Sequence, residues 1–117
     1  MNLRQLLDKA TQLNRFMRIY TLEDFWCEQG IWSEKTFGKS GPERELKHLK
    51  KEVEECLENP GDLEEYADLL FLVFGACRSA GFSLRELIAA ASAKLVINQH
   101  RKWGPLIPGE PCEHIEE

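Results

Sequence analysis

Residues 51–77 read KEVEECLENPGDLEEYADLLFLVFGAC, and this stretch decides the fold. Its centre, Asn59-Pro60-Gly61-Asp62, breaks any helix that reaches it. Glu52 and Glu55 precede the turn, and Glu65 and Asp68 follow it at mirrored distances from Pro60. Within each arm the spacing is i, i+3, so each pair shares a helical face. If the arms are antiparallel helices, Glu55 lies level with Glu65 and Glu52 level with Asp68. Four carboxylates on one seam would repel strongly unless cations sat between them. A metal site is therefore the first expectation.

After Asp68 the sequence is apolar on every side of the helical wheel, which marks a helix without a solvent face. A chain of 117 residues forms one domain and can hardly surround such a helix completely. Burial by a second copy is the natural solution, as a dimer or a dimer of dimers. The alternative is a central helix covered by its own neighbours.

Outward from this core the punctuation is helical throughout. Ser40-Gly41-Pro42-Glu43 reads as a capping box with Pro in the first turn, and Asp62 to Glu65 and Ser83 to Glu86 have the same form. Gly81 ends the apolar helix, and Gly104-Pro105 ends the last. The expectation is an all-α bundle of about five helices, near 3–20, 22–36, 42–59, 63–80 and 84–102, in one domain spanning 1–104. A polar, Pro-containing tail, 105–117, follows, mobile or draped on the surface.

An apolar share of 43% and a charged share of 30% describe a globular chain and exclude a disordered one. The net charge of −5 argues against a nucleic-acid partner. It would also repel a small polyanion, unless divalent ions bridged it to the acids. The four cysteines, Cys27, Cys56, Cys77 and Cys112, form no CxxC pair, and the N-terminus lacks a signal-peptide core. Reduced thiols and a cytoplasmic location are expected. The longest apolar run, Leu69 to Cys77, falls far short of the ~20 residues that span a bilayer, so no membrane partner is expected.

Glu52, Glu55, Glu65 and Asp68 offer hard oxygen donors, which suit Mg2+ or Mn2+ and not zinc. No Glu-x-x-His pattern supports a di-iron redox site. The ordinary alternative is that these are solvated acids, as Glu54, Glu58 and Glu64 are expected to be. Asp68 weighs against it, because a free carboxylate opening an apolar run is costly to bury. Lys94, Asn98 and Arg101 follow i, i+4, i+7 and form one stripe that can hold phosphate oxygens, or else a solvated basic face near a helix C-terminus. His48, one turn before Glu52, faces either a ligand or solvent. Trp32 and Phe37 either stack on a base or belong to the core. Lys35 and Ser33 flank them and approach a ligand through the loop; Phe25 and Trp26 are assigned to the core.

In combination these motifs resemble the all-α nucleoside triphosphate pyrophosphohydrolases, the MazG-like superfamily. Their E-E-x-x-E element appears as Lys51-Glu52-Val53-Glu54-Glu55, with Lys51 departing from the strict form. Their E-x-x-D element is Glu65-Tyr66-Ala67-Asp68. The chain is most similar to the phage-type dATP/dGTP pyrophosphohydrolase branch. Trp32 to Gly38, His48 to Glu55, Pro60 to Leu63 and Lys94 to Trp103 carry that resemblance, which covers residues 22–104.

The resemblance implies that Glu52, Glu55, Glu65 and Asp68 ligate two or three Mg2+ ions, with Mn2+ as a substitute. It implies attack of an activated water on the α-phosphorus of a purine (d)NTP, dGTP or dATP, releasing pyrophosphate and a monophosphate. One of Glu55 and Glu52 serves as general base. Lys94, Asn98, Arg101, His48, Trp32, Lys35 and Phe37 become the candidate substrate-binding residues. The competing reading is a non-catalytic helical oligomerisation or regulatory module.

Overall fold

A computed structural model describes residues 1–13 and 20–116. Among them are five helices: α1 Leu3–Leu13, α2 Leu22–Phe37, α3 Pro42–Glu58, α4 Leu63–Ser79 and α5 Leu84–His100. Two short strands follow, β1 Lys102–Trp103 and β2 His114–Glu116. The helical class and four of the five expected spans hold within two residues; the end of the first span lies outside the described residues.

Local chemistry explains most of these bounds. Thr21 caps α2 by accepting the Asp24 N–H at 3.1 Å, and Gly38 ends it at a φ of 77°. Asp62 caps α4 through the Glu64 N–H at 3.1 Å. The preceding turn is closed by the Asp62 N–H on Asn59 O at 3.0 Å, and the Tyr66 hydroxyl donates to Pro60 O at 2.6 Å. At the far end of α4 the Phe82 N–H reaches Cys77 O and the Gly81 N–H reaches Arg78 O, a Schellman ending that uses the φ of 95° at Gly81. The capping box expected at Ser40 is corrected. α3 starts at Pro42, so the cap position falls on Gly41, which has no side chain, and the Ser40 hydroxyl donates to Gly41 O instead.

The described residues divide into two compact units, Met1–Leu84 and Arg85–Glu117. In the first, α3 and α4 form a helical hairpin and α2 packs on α4. Phe25 stacks on Phe71 at 5.7 Å between centroids, and Trp26 meets Phe74 at 4.9 Å. Trp26, Cys56, Phe74, Ala76 and Leu84 are buried. The Arg78 guanidinium closes this core from above, 4.5 Å over the Trp26 ring. It donates to Trp26 O at 3.1 Å and to Gln29 Oε1 at 2.9 Å. Leu70, Phe71 and Val73 of α4 remain 37–40% exposed, so the neighbouring helices do not cover it fully.

In the second unit α5 leaves Ile88, Leu95, Val96 and Ile97 exposed. Part of the tail is paired with the end of the chain's helical region. β1 and β2 pair antiparallel with Trp103 opposite His114, and the Gly104 N–H donates to Glu113 O at 2.8 Å. The Trp103 indole N–H donates to Asn98 O at 2.9 Å, tying the ribbon to the helix end. No disulfide joins any of the four cysteines. No single helix among the described residues is long and apolar enough to cross a membrane.

Candidate functional site

The tight turn at 59–62 folds the first two turns of α4 back along the end of α3, and this brings carboxylates together. Oxygen atoms of Glu52, Glu55 and Glu65 lie within 4.8 Å of one another. Asp68, one turn further along α4, stands outside that group and lines the adjoining cleft beside Glu52. The mirrored register thus joins three of the four residues directly. Asp68 has the shorter side chain, and a spacing of three residues rotates it by roughly 60° from Glu65 around the helix.

The electrostatics of the group are those of anions short of cations. Glu52 Oε2 and Glu65 Oε2 are buried without a hydrogen-bond partner. Glu55 is held above the usual carboxylate range by a hydrogen bond with Glu52 and by the charge on Glu52. Glu65 is pushed up first by burial, then by the charges of Asp62, Asp68 and Glu52. Asp68 is raised by burial and next by Glu52. His48 Nε2 lies 3.1 Å from Glu52 Oε1 and lowers Asp68 in part. Orphaned oxygens in an all-carboxylate donor set fit a hard divalent ion.

Alongside runs a cleft of about 360 Å³, within the size range of small-molecule sites. His48 and Glu52 line it from α3, Asp68 and Phe71 from α4, and Trp32 and Phe37 from α2. The last two are more than half exposed and meet edge to face at 5.4 Å, so they form a cleft wall and not core. Ser33 also lines the cleft, whereas Lys35 is exposed and does not. Gln29, Arg44, Glu45, Leu72 and Gly75 also line the cleft and escaped the sequence reading. The signal for Glu45 was present: it precedes Glu52 by seven residues, two helical turns on the same face.

Lys94, Asn98 and Arg101 belong to the second unit. α5 stops at His100, so Arg101 lies just past the helix, where its Nη1 donates to Asn98 Oδ1 at 3.4 Å. Lys94 is exposed.

The sequence profile of the dATP/dGTP pyrophosphohydrolase family matches residues 26–117. The chain belongs to this family. It is therefore grouped with nucleotide hydrolases of MazG-like helical fold. The Eaa protein of Salmonella phage P22 is 44% identical over 90 residues, covering 77% of this chain. This chain spans only 28% of the length of that relative. Among solved structures, a cyanophage S-2L MazG-like pyrophosphohydrolase, bound to dGDP and three catalytic Mn2+ ions per active site, is similar with a TM-score of 0.68. It is 27% identical, and the likeness covers 83% of this chain and 99% of that one.

Proposed function

We propose that this protein is a divalent-metal-dependent pyrophosphohydrolase that cleaves a purine (d)NTP, dGTP or dATP, into the monophosphate and pyrophosphate. The observation that carries the reading is the meeting of Glu52, Glu55 and Glu65, with two buried oxygens lacking partners. Family membership and the dGDP and Mn2+ bound by the cyanophage neighbour support it.

Glu52, Glu55, Glu65 and Asp68 would hold two or three Mg2+ ions, with Mn2+ as substitute. When bound, such ions neutralise the triphosphate, orient it and acidify the attacking water. The chain supplies the rest. Glu52 is tied by His48 at one oxygen and buried at the other, which suits a fixed ligand. Glu55 is exposed and its carboxyl is already raised by its neighbour, which suits a general base taking the proton of the attacking water. Trp32 and Phe37 wall a nucleoside, and His48 stands where it can reach a phosphate. Lys94, Asn98 and Arg101 are assigned to phosphate oxygens, with Arg101 as the bidentate donor.

The working form is a homo-oligomer, a dimer or a dimer of dimers. Leu70 and Val73 on α4, and Leu95 and Val96 on α5, expose apolar surface that a second copy would cover. A cytoplasmic location, the host cytoplasm if the chain is phage-encoded, belongs to the same proposal.

Pyrophosphate release from a panel of dNTPs, with Mg2+, Mn2+ or EDTA, tests the reading. Metal-dependent turnover of a purine nucleotide is expected. A well-folded protein that turns over none at micromolar concentration would leave the non-catalytic module as the better account.

A further inference from the structure

We infer that Glu45, aided by Gln29, reads the Watson–Crick edge of guanine and makes the cleft select guanine over adenine nucleotides. This inference rests on the nucleotide reading of the site given above.

Glu45 lies seven residues before Glu52 on α3, about 10 Å of helix rise from the carboxylate group. Both residues line the same cleft, so α3 carries acids at two separate points along it. Glu45 Oε1 accepts the Ser79 hydroxyl at 3.2 Å, while Oε2 is buried without a partner. A half-buried carboxylate oxygen without a donor is costly, and a ligand N–H would remove that cost. Gly75 lets the side chain sit close: a Cβ there would meet Glu45 Cγ at 3.3 Å.

Arg44, which also lines the cleft, donates its Nη1 to Phe37 O at 3.4 Å. Arg78 gives its Nη2 to Trp26 O and to Gln29 Oε1 and lies on the Trp26 ring. Guanidinium only donates, so its bond to Gln29 fixes that amide with oxygen toward Arg78 and leaves the NH2 end as a donor. The cleft lining therefore includes the Gln29 amide donor and the Glu45 carboxylate acceptor, beside the Arg44 guanidinium.

Guanine presents the complement: O6 as acceptor, then N1–H and the 2-amino group as parallel donors. A carboxylate takes such a pair through two charge-assisted bonds. Adenine presents its N1 lone pair and its 6-amino donor, so the carboxylate would face a lone pair and the amide NH2 would face another donor. Trp32 and Phe71, on the walls of the cleft, offer flat faces to either base and so add affinity without choosing between them.

The test compares dGTP, dATP and dITP, which lacks the 2-amino group, on the wild-type protein and on Glu45→Gln. Pyrophosphate release gives kcat/KM, and calorimetry gives the binding of dGMP, dAMP and dIMP. Wild type is expected to favour dGTP over dITP by roughly tenfold and over dATP by more. Glu45→Gln is expected to lower the dGTP:dATP ratio by roughly 10- to 100-fold. A residue that merely supported the fold would lower both substrates together.

Equal handling of dGTP and dITP by wild type would overturn the inference, whether or not the variant folds. An unchanged dGTP:dATP ratio in a folded Glu45→Gln would overturn it as well. Absence of hydrolysis with dGMP still bound over dAMP and dIMP would refute the pyrophosphohydrolase reading and keep the base reading. Equal monophosphate binding refutes the base reading alone.

Discussion

Gly30→Ala should destabilise the protein, against the usual direction for glycine in a helix. In a helix interior this substitution ordinarily stabilises by about 0.8–1 kcal/mol. Here the added Cβ would lie 2.6 Å from Arg78 Nε and 2.9 Å from its Cζ, so the guanidinium has to retreat. Retreat puts at risk the bonds to Trp26 O at 3.1 Å and Gln29 Oε1 at 2.9 Å, and the ring contact at 4.5 Å. A hydrogen bond to a charged group is worth about 1.5–3 kcal/mol, and a cation–π contact of this kind about 0.5–1 kcal/mol. Loss of one bond and the ring contact costs roughly 2–4 kcal/mol. After the propensity gain, a net destabilisation of about 1–3 kcal/mol remains.

Urea denaturation at fixed protein and Mg2+ concentration reads this as a lower midpoint with unchanged slope. The decisive control is Arg78→Ala. In that background the obstacle is gone, and Gly30→Ala should stabilise by about 0.8–1 kcal/mol. If Gly30→Ala stabilises the wild type, or destabilises both backgrounds equally, the steric argument is wrong. The same substitution releases Gln29 from Arg78, so it should also lower the dGTP:dATP preference.

Three further outcomes are expected. Asp68→Asn keeps the shape and removes a charge at the mouth of the carboxylate group; turnover should fall by at least about 100-fold with the circular-dichroism spectrum unchanged, and retained activity would show that Asp68 is not a ligand. In metal-free protein, Glu55, Glu65 and Asp68 hold protons more tightly folded than unfolded. Their contribution to stability is then full below the ordinary carboxylate range and is lost as pH rises through the raised folded-state values. The rise in Tm on adding Mg2+ should therefore grow between pH 5 and pH 7, followed by differential scanning fluorimetry; a gain that shrinks over that interval would contradict the clustering. Trp32→Ala removes a wall of the cleft, and stacking worth about 1–3 kcal/mol per base predicts a KM raised roughly 5- to 150-fold for dGTP and dATP alike.

Local signals carried most of the fold. Pro42, the Asn59–Asp62 turn, Asp62 and Gly81 set helix ends through backbone chemistry that involves only near neighbours, and their positions match. Glu52, Glu55 and Glu65 were legible for the same reason, since a four-residue turn forces their register. What escaped depends on partners far apart in sequence. Arg78 meets Trp26 across 52 residues, and nothing in either neighbourhood announces it. The β1–β2 ribbon has strands of two and three residues, too short for an alternating pattern. Ser40 misled because a cap depends on the first helical residue, and Pro42 moved that position to Gly41. Glu45 looked like one more solvated acid in a charged helix; only its cross-helix partner Ser79 and its buried, unpaired Oε2 distinguish it.

α3 then explains why so acidic a chain suits a polyanionic ligand. Glu52 and Glu55 near its C-terminal end need cations, whereas Glu45, two turns earlier, needs N–H donors. A free triphosphate satisfies neither need, because its charges repel the first group and its base alone cannot hold it against that repulsion. Divalent ions without nucleotide satisfy one end only. The guanine nucleotide with its ions satisfies both, so each component should raise the affinity for the other by the same factor, as linkage requires. Metal affinity measured with and without dGMP must therefore change by the ratio found for dGMP with and without metal. In Glu45→Gln the nucleotide loses part of its hold while the ligand set is untouched, so its affinity should fall at every metal concentration. Metal affinity without nucleotide should stay where it was, which separates the base-reading end of α3 from the metal-holding end.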